Sequence, residues 1–460
     1  MAGIGFKLQR MLAKNTLTTT AMALLYSALI SAGPWLIMSL NVFFIQYFSK
    51  EINIEFFKIS LAYAFIFSTV IDGFFSFVIN RRISDLAYAN NTHQIYREYS
   101  ANVFLIFSIA VAVAFFFYFF HRGYTVWQII LPSYLFVTLS VLWIQVIYAS
   151  MIEKFSYLIF SFVIGNAFSL LSIAFIHVNE AWTYLLYDIG IGFIVYALHF
   201  IIFKNLKSEG FSFSVFSQMK KYWENMLVGL FYYSSIWIDD FVAWFFLGKN
   251  FYNGYRLAPS YDIPMFLSYL FIIPTMILFV INIEVGFYEQ YKSFYNLLEH
   301  NGTLEEIKKK KKLMDMYLGH AILMVFAVQI VSSFVGLIIS MPMVVYLNLP
   351  PESLGILRLG ILGATFNAFF LFFLLITFYF DFRKVAYRAT AITLSINFGL
   401  SILTTKTYPA LGFTVSFLIG TSYLMVEFFK RYDSLIYVEY TRQKSTLKIG
   451  KVKVWKNEKA

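Results

Sequence analysis

The feature that most constrains this chain is a succession of apolar runs, each close to the roughly 20 residues an α-helix needs to cross a bilayer. They cover about residues 21–48, 56–79, 99–120, 126–150, 155–177 and 182–203, two more within 222–299, then 317–341, 355–379, 385–403 and 408–431. In hydrocarbon, backbone N–H and C=O groups must be satisfied within the segment itself, so runs of this length are helices. Composition agrees. Of 460 residues, 60% are hydrophobic and 13% charged, where a soluble domain has about a quarter charged. The reading is an all-α integral membrane protein with twelve transmembrane helices.

Lys and Arg test the count. Twelve spans put both termini on one side, and the loops of that side hold 29 of the 36 Lys and Arg residues. The other seven are Lys50, Lys58, Arg122, Lys249, Arg256, Arg358 and Lys406. This is the positive-inside bias of a multi-pass protein with both termini cytoplasmic. It explains the net charge of +11 through the cytosol and anionic headgroups, with no need for nucleic acid. Residues 3–14 pattern as an interfacial amphipathic helix, Ile4, Leu8, Met11 and Leu12 opposite Lys7, Arg10 and Lys14. The expected organisation is a first six-helix lobe at 1–203, a cytoplasmic linker at 204–221, a second six-helix lobe at 222–431 and a basic tail at 432–460.

Several classes of chemistry have no residues to perform them. There is no cysteine, hence no thiolate metal site or cysteine nucleophile. The six histidines, at 93, 121, 177, 199, 300 and 320, show no metal-ligand spacing. No phosphate-binding Gly-rich loop and no Gly-x-Ser-x-Gly elbow occurs. No cofactor, metal or catalytic residue is expected.

Polar residues inside apolar runs point to function, because acids in hydrocarbon face a bundle interior or a wet path. Asp239 and Asp240 share one run with Tyr232, Tyr233 and Trp237. The next opens at Asp262, is interrupted at Pro274 and ends at Glu284. Asp72 lies in the second run and Gly33-Pro34 breaks the first, as proline removes a backbone donor. Tyr233, Trp237 and Asp240 stand at i, i+4 and i+7, one helical face with two rings and a carboxylate. All of these except Pro274, ten residues, are the expected substrate path. Plainer roles compete: helix caps for the acids, tolerated kinks for proline, and lipid-facing belts for most of the 55 Phe, 33 Tyr and 8 Trp. The polar segment 288–316 is expected to be the longest internal loop. Within it Thr303-Leu304-Glu305-Glu306 reads as a capping box that starts a helix carrying Lys308, Lys309, Lys310, Lys311 and Lys312. These lysines are candidates for docking a partner or anionic lipid.

The strings "MAGIGFKLQRML", "YSALISAGPWLI", "WIDDFVAWF", "YDIPMFLSYLFIIP" and "IEVGFYEQYKSFYNLLEHNGTLEEIKK" strongly resemble the PelG family of Pel exopolysaccharide transporters, within the multidrug/oligosaccharidyl-lipid/polysaccharide (MOP) exporter superfamily. The resemblance spans essentially the whole chain. It implies two six-helix lobes around a central cavity, MATE-like, in the bacterial cytoplasmic (inner) membrane. The implied substrate is a polymer rich in N-acetylgalactosamine and galactosamine that becomes biofilm matrix. The implied partners are the glycosyltransferase PelF, the cyclic-di-GMP receptor PelD and the membrane protein PelE. One position departs: where the family commonly has lysine after the first aspartate, this chain has Asp240. Alternatives are a lipid-linked oligosaccharide flippase or drug exporter of the same superfamily, a non-transporting scaffold for the synthase, and, third, an enzyme.

Overall fold

The computed structural model describes residues 16–442 except 32, 50–52, 90, 153, 177–178, 207, 209 and 301. The helix expected at 3–14 and most of the basic tail lie outside the described residues. The first run is two helices, α1 (Leu17–Ser31) and α2 (Gly33–Phe48), inclined at 75° to each other. Pro34 stands in the first turn of α2, where its missing N–H costs nothing. Then come α3 (Glu55–Tyr88), α4 (Thr92–Phe120), α5 (Val126–Met151), α6 (Phe155–Phe175) and α7 (Glu180–Leu206). A short α8 (Val215–Lys221) leads to α9 (Trp223–Phe246). An antiparallel hairpin, β1 (Lys249–Tyr252) and β2 (Tyr255–Leu257), joins α9 to α10 (Pro259–Tyr269). A 3-10 turn at Leu270–Ile272 stops α10 just before Pro274; α11 (Ile273–Ile281) restarts there, and a π-helical turn at Asn282–Phe287 passes into α12 (Tyr288–Glu299). The chain ends with α13 (Leu304–Tyr346), α14 (Ser353–Tyr379), α15 (Arg383–Thr404), α16 (Leu411–Asp433) and α17 (Leu435–Arg442).

Three expectations change. Among the described residues ten helices are long and apolar enough to span a membrane, or eleven with α1 and α2 as one bent span. The helix short of that measure is α15: it is 22 residues long but buries Thr390, Thr393, Asn397 and Ser401. The second run, expected to end at 79, continues as helix through the polar residues 80–85, because their charges find partners: Arg82 is bidentate on Glu98 at 2.7–3.0 Å and Arg81 pairs with Asp85 at 3.3 Å. The loop at 288–316 is the antiparallel pair α12–α13 around a tight connection. Its capping box forms as read, Glu306 N donating to Thr303 Oγ1 at 3.3 Å and Thr303 N donating to Glu306 Oε2 at 2.8 Å.

Two apolar cores organise the bundle. One draws on residues 38–215, with Leu135, Leu139, Tyr187, Ile191 and Ile194 fully buried. The other draws mostly on residues 228–435, around Phe370, Phe373, Phe413, Phe417 and Phe428. α1 crosses over: Ala23 belongs to the second core, and the Ser27 hydroxyl donates to Ile277 O at 2.8 Å. The two parts meet chiefly along α3 and α9. There Gly73 and Gly229 cross in backbone contact; a Cβ on Gly229 would lie 1.9 Å from Gly73 O. Small residues permit such approach where lipid supplies no hydrophobic drive.

Candidate functional site

Contacts along the α3–α9 seam fix its direction. Tyr63 stacks on Trp244, 4.9 Å between centroids at 11°. Phe67 stacks on Phe241 at 5.4 Å, Trp237 Nε1 donates to Thr69 Oγ1 at 3.0 Å, and Gly73 lies against Gly229 and Tyr233. At the far end the Tyr222 hydroxyl donates to Asp85 at 2.6 Å. The two helices run antiparallel, lined by rings. Polar atoms near the glycine crossing are left over. Asp72 Oδ1 and Ser76 Oγ, on α3 beside Gly73, have no hydrogen-bond partner among the described residues, nor does Asn225 Oδ1 one turn from Gly229. Buried acceptors without donors are costly, and such atoms stand ready for a donor that enters.

A second cluster lies inside the second core. Asp239 accepts from the Tyr261 hydroxyl at 2.6 Å and from Asn397 Nδ2 at 3.1 Å. Asn397 also donates to Ser235 O at 2.8 Å and accepts from Ser401 at 2.9 Å. Asp262 accepts from Trp244 Nε1 at 2.9 Å and, reaching back over its own helix start, from Ala258 N at 3.0 Å. Asp240 is buried beside them and accepts no side-chain hydrogen bond among the described residues. Among the described residues none of these acids, nor Asp72, is in an ion pair; the pairs there involve Arg81, Arg82, Lys311, Arg383 and Lys430. Among the described residues no three groups come together to hold a metal ion.

Both ends of the seam are shut. At one end the β1–β2 hairpin seats Tyr255, 3% exposed, among Phe56, Tyr63, Phe117 and Tyr124, its hydroxyl 2.7 Å from that of Tyr118. Tyr63 donates to Arg256 O at 2.9 Å and accepts from Arg256 N at 2.8 Å. Burial pushes the Tyr124 hydroxyl up to about 12 and Tyr255 well above the usual tyrosine range, so both stay neutral donors at any physiological pH. At the other end Tyr222 sits amid cations: Arg81, Lys221 and Arg383 lie 6.0, 4.7 and 5.1 Å from its ring centre. Asp381 binds Arg383 at 2.7 Å and reaches Arg81 across the seam at 3.9 Å.

The expected path residues thus separate. Asp72, Tyr233 and Trp237 converge on the seam. Asp239, Asp240 and Asp262 gather in the second core, and Tyr232 turns inward, its hydroxyl donating to Asn367 at 3.2 Å and its ring stacked on Phe370. Gly33 and Pro34 mark the bend between α1 and α2, beside Trp35, which meets Phe266 at 5.6 Å. Glu284 falls in the π-helical turn; its side chain lies outside what is described. Of the lysines, Lys308, Lys309 and Lys312 are exposed, whereas Lys311 pairs with Asp315 at 3.0 Å and lies over the Tyr432 ring. Asp188 was missed: it is 1% exposed, and neither of its oxygens has a partner among the described residues. An acid deep in an apolar run was its signal, the same one that marked Asp72.

A family model described as PelG, "Putative exopolysaccharide Exporter (EPS-E)", matches residues 1–440. The chain belongs to this family. A PelG-family chain is a multi-pass membrane transporter of exopolysaccharide, and its solved structural neighbours carry the same fold. An outward-facing multidrug-resistance MATE transporter of the MOP superfamily aligns at TM-score 0.61 and 10% identity, over 91% of this chain and 96% of that one. A mutant of the Vibrio cholerae MATE transporter VcmN aligns at 0.60 and 12%, over 95% and 98%. A MOP-superfamily transporter from Pyrococcus furiosus aligns at 0.58 and 10%, over 90% and 96%. At these identities the likeness is one of fold. No curated protein sequence matches the chain.

Proposed function

We propose that this protein exports a Pel-type polysaccharide, rich in N-acetylgalactosamine and galactosamine, across the bacterial cytoplasmic membrane, and that the glycan passes along the α3–α9 seam. The observation that carries the reading is the seam's lining. Rings of Tyr63, Phe67, Tyr233, Trp237, Phe241 and Trp244 lie beside leftover acceptors on Asp72 and Asn225. Sugar rings present C–H faces to aromatic rings and hydroxyls or amides to acceptors. A polymer moving through needs many weak, similar contacts rather than one tight site.

The basic end faces the cytosol in this reading, with both termini, and the hairpin end faces outward. The chain is then the transporter of a synthase-dependent secretion complex making biofilm matrix. PelF would deliver polymer at the basic end, with PelD and PelE beside it. The exposed Lys308, Lys309 and Lys312 are the surface we assign to synthase docking; Lys311, tied to Asp315 and Tyr432, holds the fold.

The chain has no cysteine, so single cysteines at Asp72, Thr69 and Tyr233 report cleanly. They should react with a water-soluble thiol reagent in membranes that are not synthesising polymer and be protected during synthesis. Asp72→Ala should cut secreted polymer with the membrane level unchanged. Protection under both conditions, together with normal secretion by Asp72→Ala, would move the path elsewhere and favour the scaffold reading.

A further inference from the structure

The hairpin is a short element with an unusual density of contacts to the other part of the molecule. It connects α9 to α10, yet its side chains are seated in a pocket made by α3, α4 and the α4–α5 turn. Tyr255 fills that pocket. Asn253 Nδ2 donates to Arg122 O at 2.9 Å, and Tyr124 donates to Asn253 O. Gly254, at φ +84°, completes the two-residue turn pressed on His121; a Cβ there would lie 2.6 Å from the imidazole. A two-stranded hairpin is marginal by itself, so this one holds its place through the seat.

The seat is wired to the buried acids. Tyr63 holds the Arg256 backbone by both N–H and C=O, and its ring lies flat on Trp244. The Trp244 indole N–H is held by Asp262, whose second oxygen takes the N–H of Ala258, the first residue after β2. One carboxylate therefore fixes both the ring under Tyr63 and the root of the hairpin.

We infer that the hairpin 249–257 is the gate of this end of the seam and that Asp262 is its positioning residue: it holds Trp244 and the hairpin root in register so that Tyr63 and Tyr255 stay latched. The gate opens by unseating Tyr255 and Arg256 from α3 and α4. The inference rests on the seam being the path.

The test joins Arg122→Cys to Asn253→Cys with a short, reducible bis-thiol linker in the full chain, in cells making the polymer. Both positions are on turns; Asn253→Cys gives up one hydrogen bond of the seat, so the unlinked double variant is the reference for export. In parallel, a Thr69→Cys reporter is labelled by a membrane-impermeant thiol reagent added from the hairpin side. The lock should lower export at least tenfold, with recovery on reduction. Combined with Tyr63→Phe, which drops the hydroxyl that holds Arg256 N and Arg256 O, or with Tyr255→Ala, the reporter should label about tenfold faster, the factor a loss of about 1.4 kcal/mol gives. Normal export by the locked protein overturns the gate, as does a reporter that already labels measurably without the latch variants and labels no faster in either of them. If the reporter stays silent even with Tyr255→Ala while the lock still stops export, the seam fails as the path and the hairpin stands as the gate of another route. Asp262→Asn, which turns one acceptor into a donor, and Trp244→Phe, which keeps the stack but drops its N–H, should each speed labelling about tenfold and together no further. Independent, multiplying effects, or none, overturn the role of Asp262.

Discussion

The two ends of the α3–α9 seam are closed by opposite chemistry. At the hairpin end Tyr255 is buried under four rings, and neutral hydrogen bonds run between Tyr63 and Arg256 and between Tyr118 and Tyr255. Among the described residues no ion pair crosses there. At the basic end the crossing contacts are Arg81 to Asp381 at 3.9 Å, Tyr222 to Asp85 at 2.6 Å and cations around the Tyr222 ring, with the ionic side chains partly exposed. Partly exposed ion pairs contribute about 0–1 kcal/mol and weaken with salt. A buried aromatic side chain contributes about 3–5 kcal/mol against truncation, with little salt dependence. Tyr222 at the basic end is as buried as Tyr255, at 3% exposed, so what sets the two ends apart is that salt loosens only the basic one. In the reading proposed above, that is the end that admits the chain first.

The sharpest way to break the comparison is to pry both ends open at once. In Gly229→Ala a methyl must occupy space 1.9 Å from the Gly73 carbonyl oxygen, and backbone has no rotamer with which to yield. Overpacking costs about 1–3 kcal/mol in ordinary cores, and this site belongs at the upper end or beyond. The variant should lose thermal stability in detergent and show faster labelling at both ends. Faster labelling at one end alone would mean that the halves pivot rather than part.

Next in size is Tyr63→Phe at the hairpin end. It keeps the stack on Trp244 and removes the hydroxyl that serves both Arg256 N and Arg256 O. Each lost hydrogen bond is worth about 0.5–1.5 kcal/mol, so labelling of the Thr69→Cys reporter from the hairpin side should quicken about tenfold, equally at low and high salt. A marked salt dependence would show a charged contact at this end and erase the contrast.

How far the sequence reaches follows from which contacts are local. Helical spacing alone put Tyr233 and Trp237 on one face, and they meet α3 together. The bend before Pro34 and the Thr303–Glu306 box are local chemistry and are found where expected. The hairpin was within reach too: Asn253-Gly254 between aromatic residues is a two-residue turn signal. Asp239 was not. Its role depends on Tyr261 and on Asn397, 158 positions away, and no pattern in α9 encodes α15 as its neighbour. Conversely, α15 looked like an ordinary span, and only its packing against α9 explains why it is too polar to count as one.

The smallest expected effect, and the finest test of the contrast, is Asp381→Asn at the basic end. Asp381 sits at φ +54°, a conformation asparagine shares with aspartate at little cost, so the backbone is kept and only charge is lost. The bidentate grip on Arg383 and the reach to Arg81 weaken together. The loss should be no more than about 1 kcal/mol, read as a severalfold faster labelling of a Ser76→Cys reporter from the basic side in low salt. At about 1 M salt, where the screening length falls to about 3 Å, the original protein should label as fast as the variant. If the difference survives high salt, the basic end is held by packing around Tyr222 rather than by charge, and the two ends are alike after all.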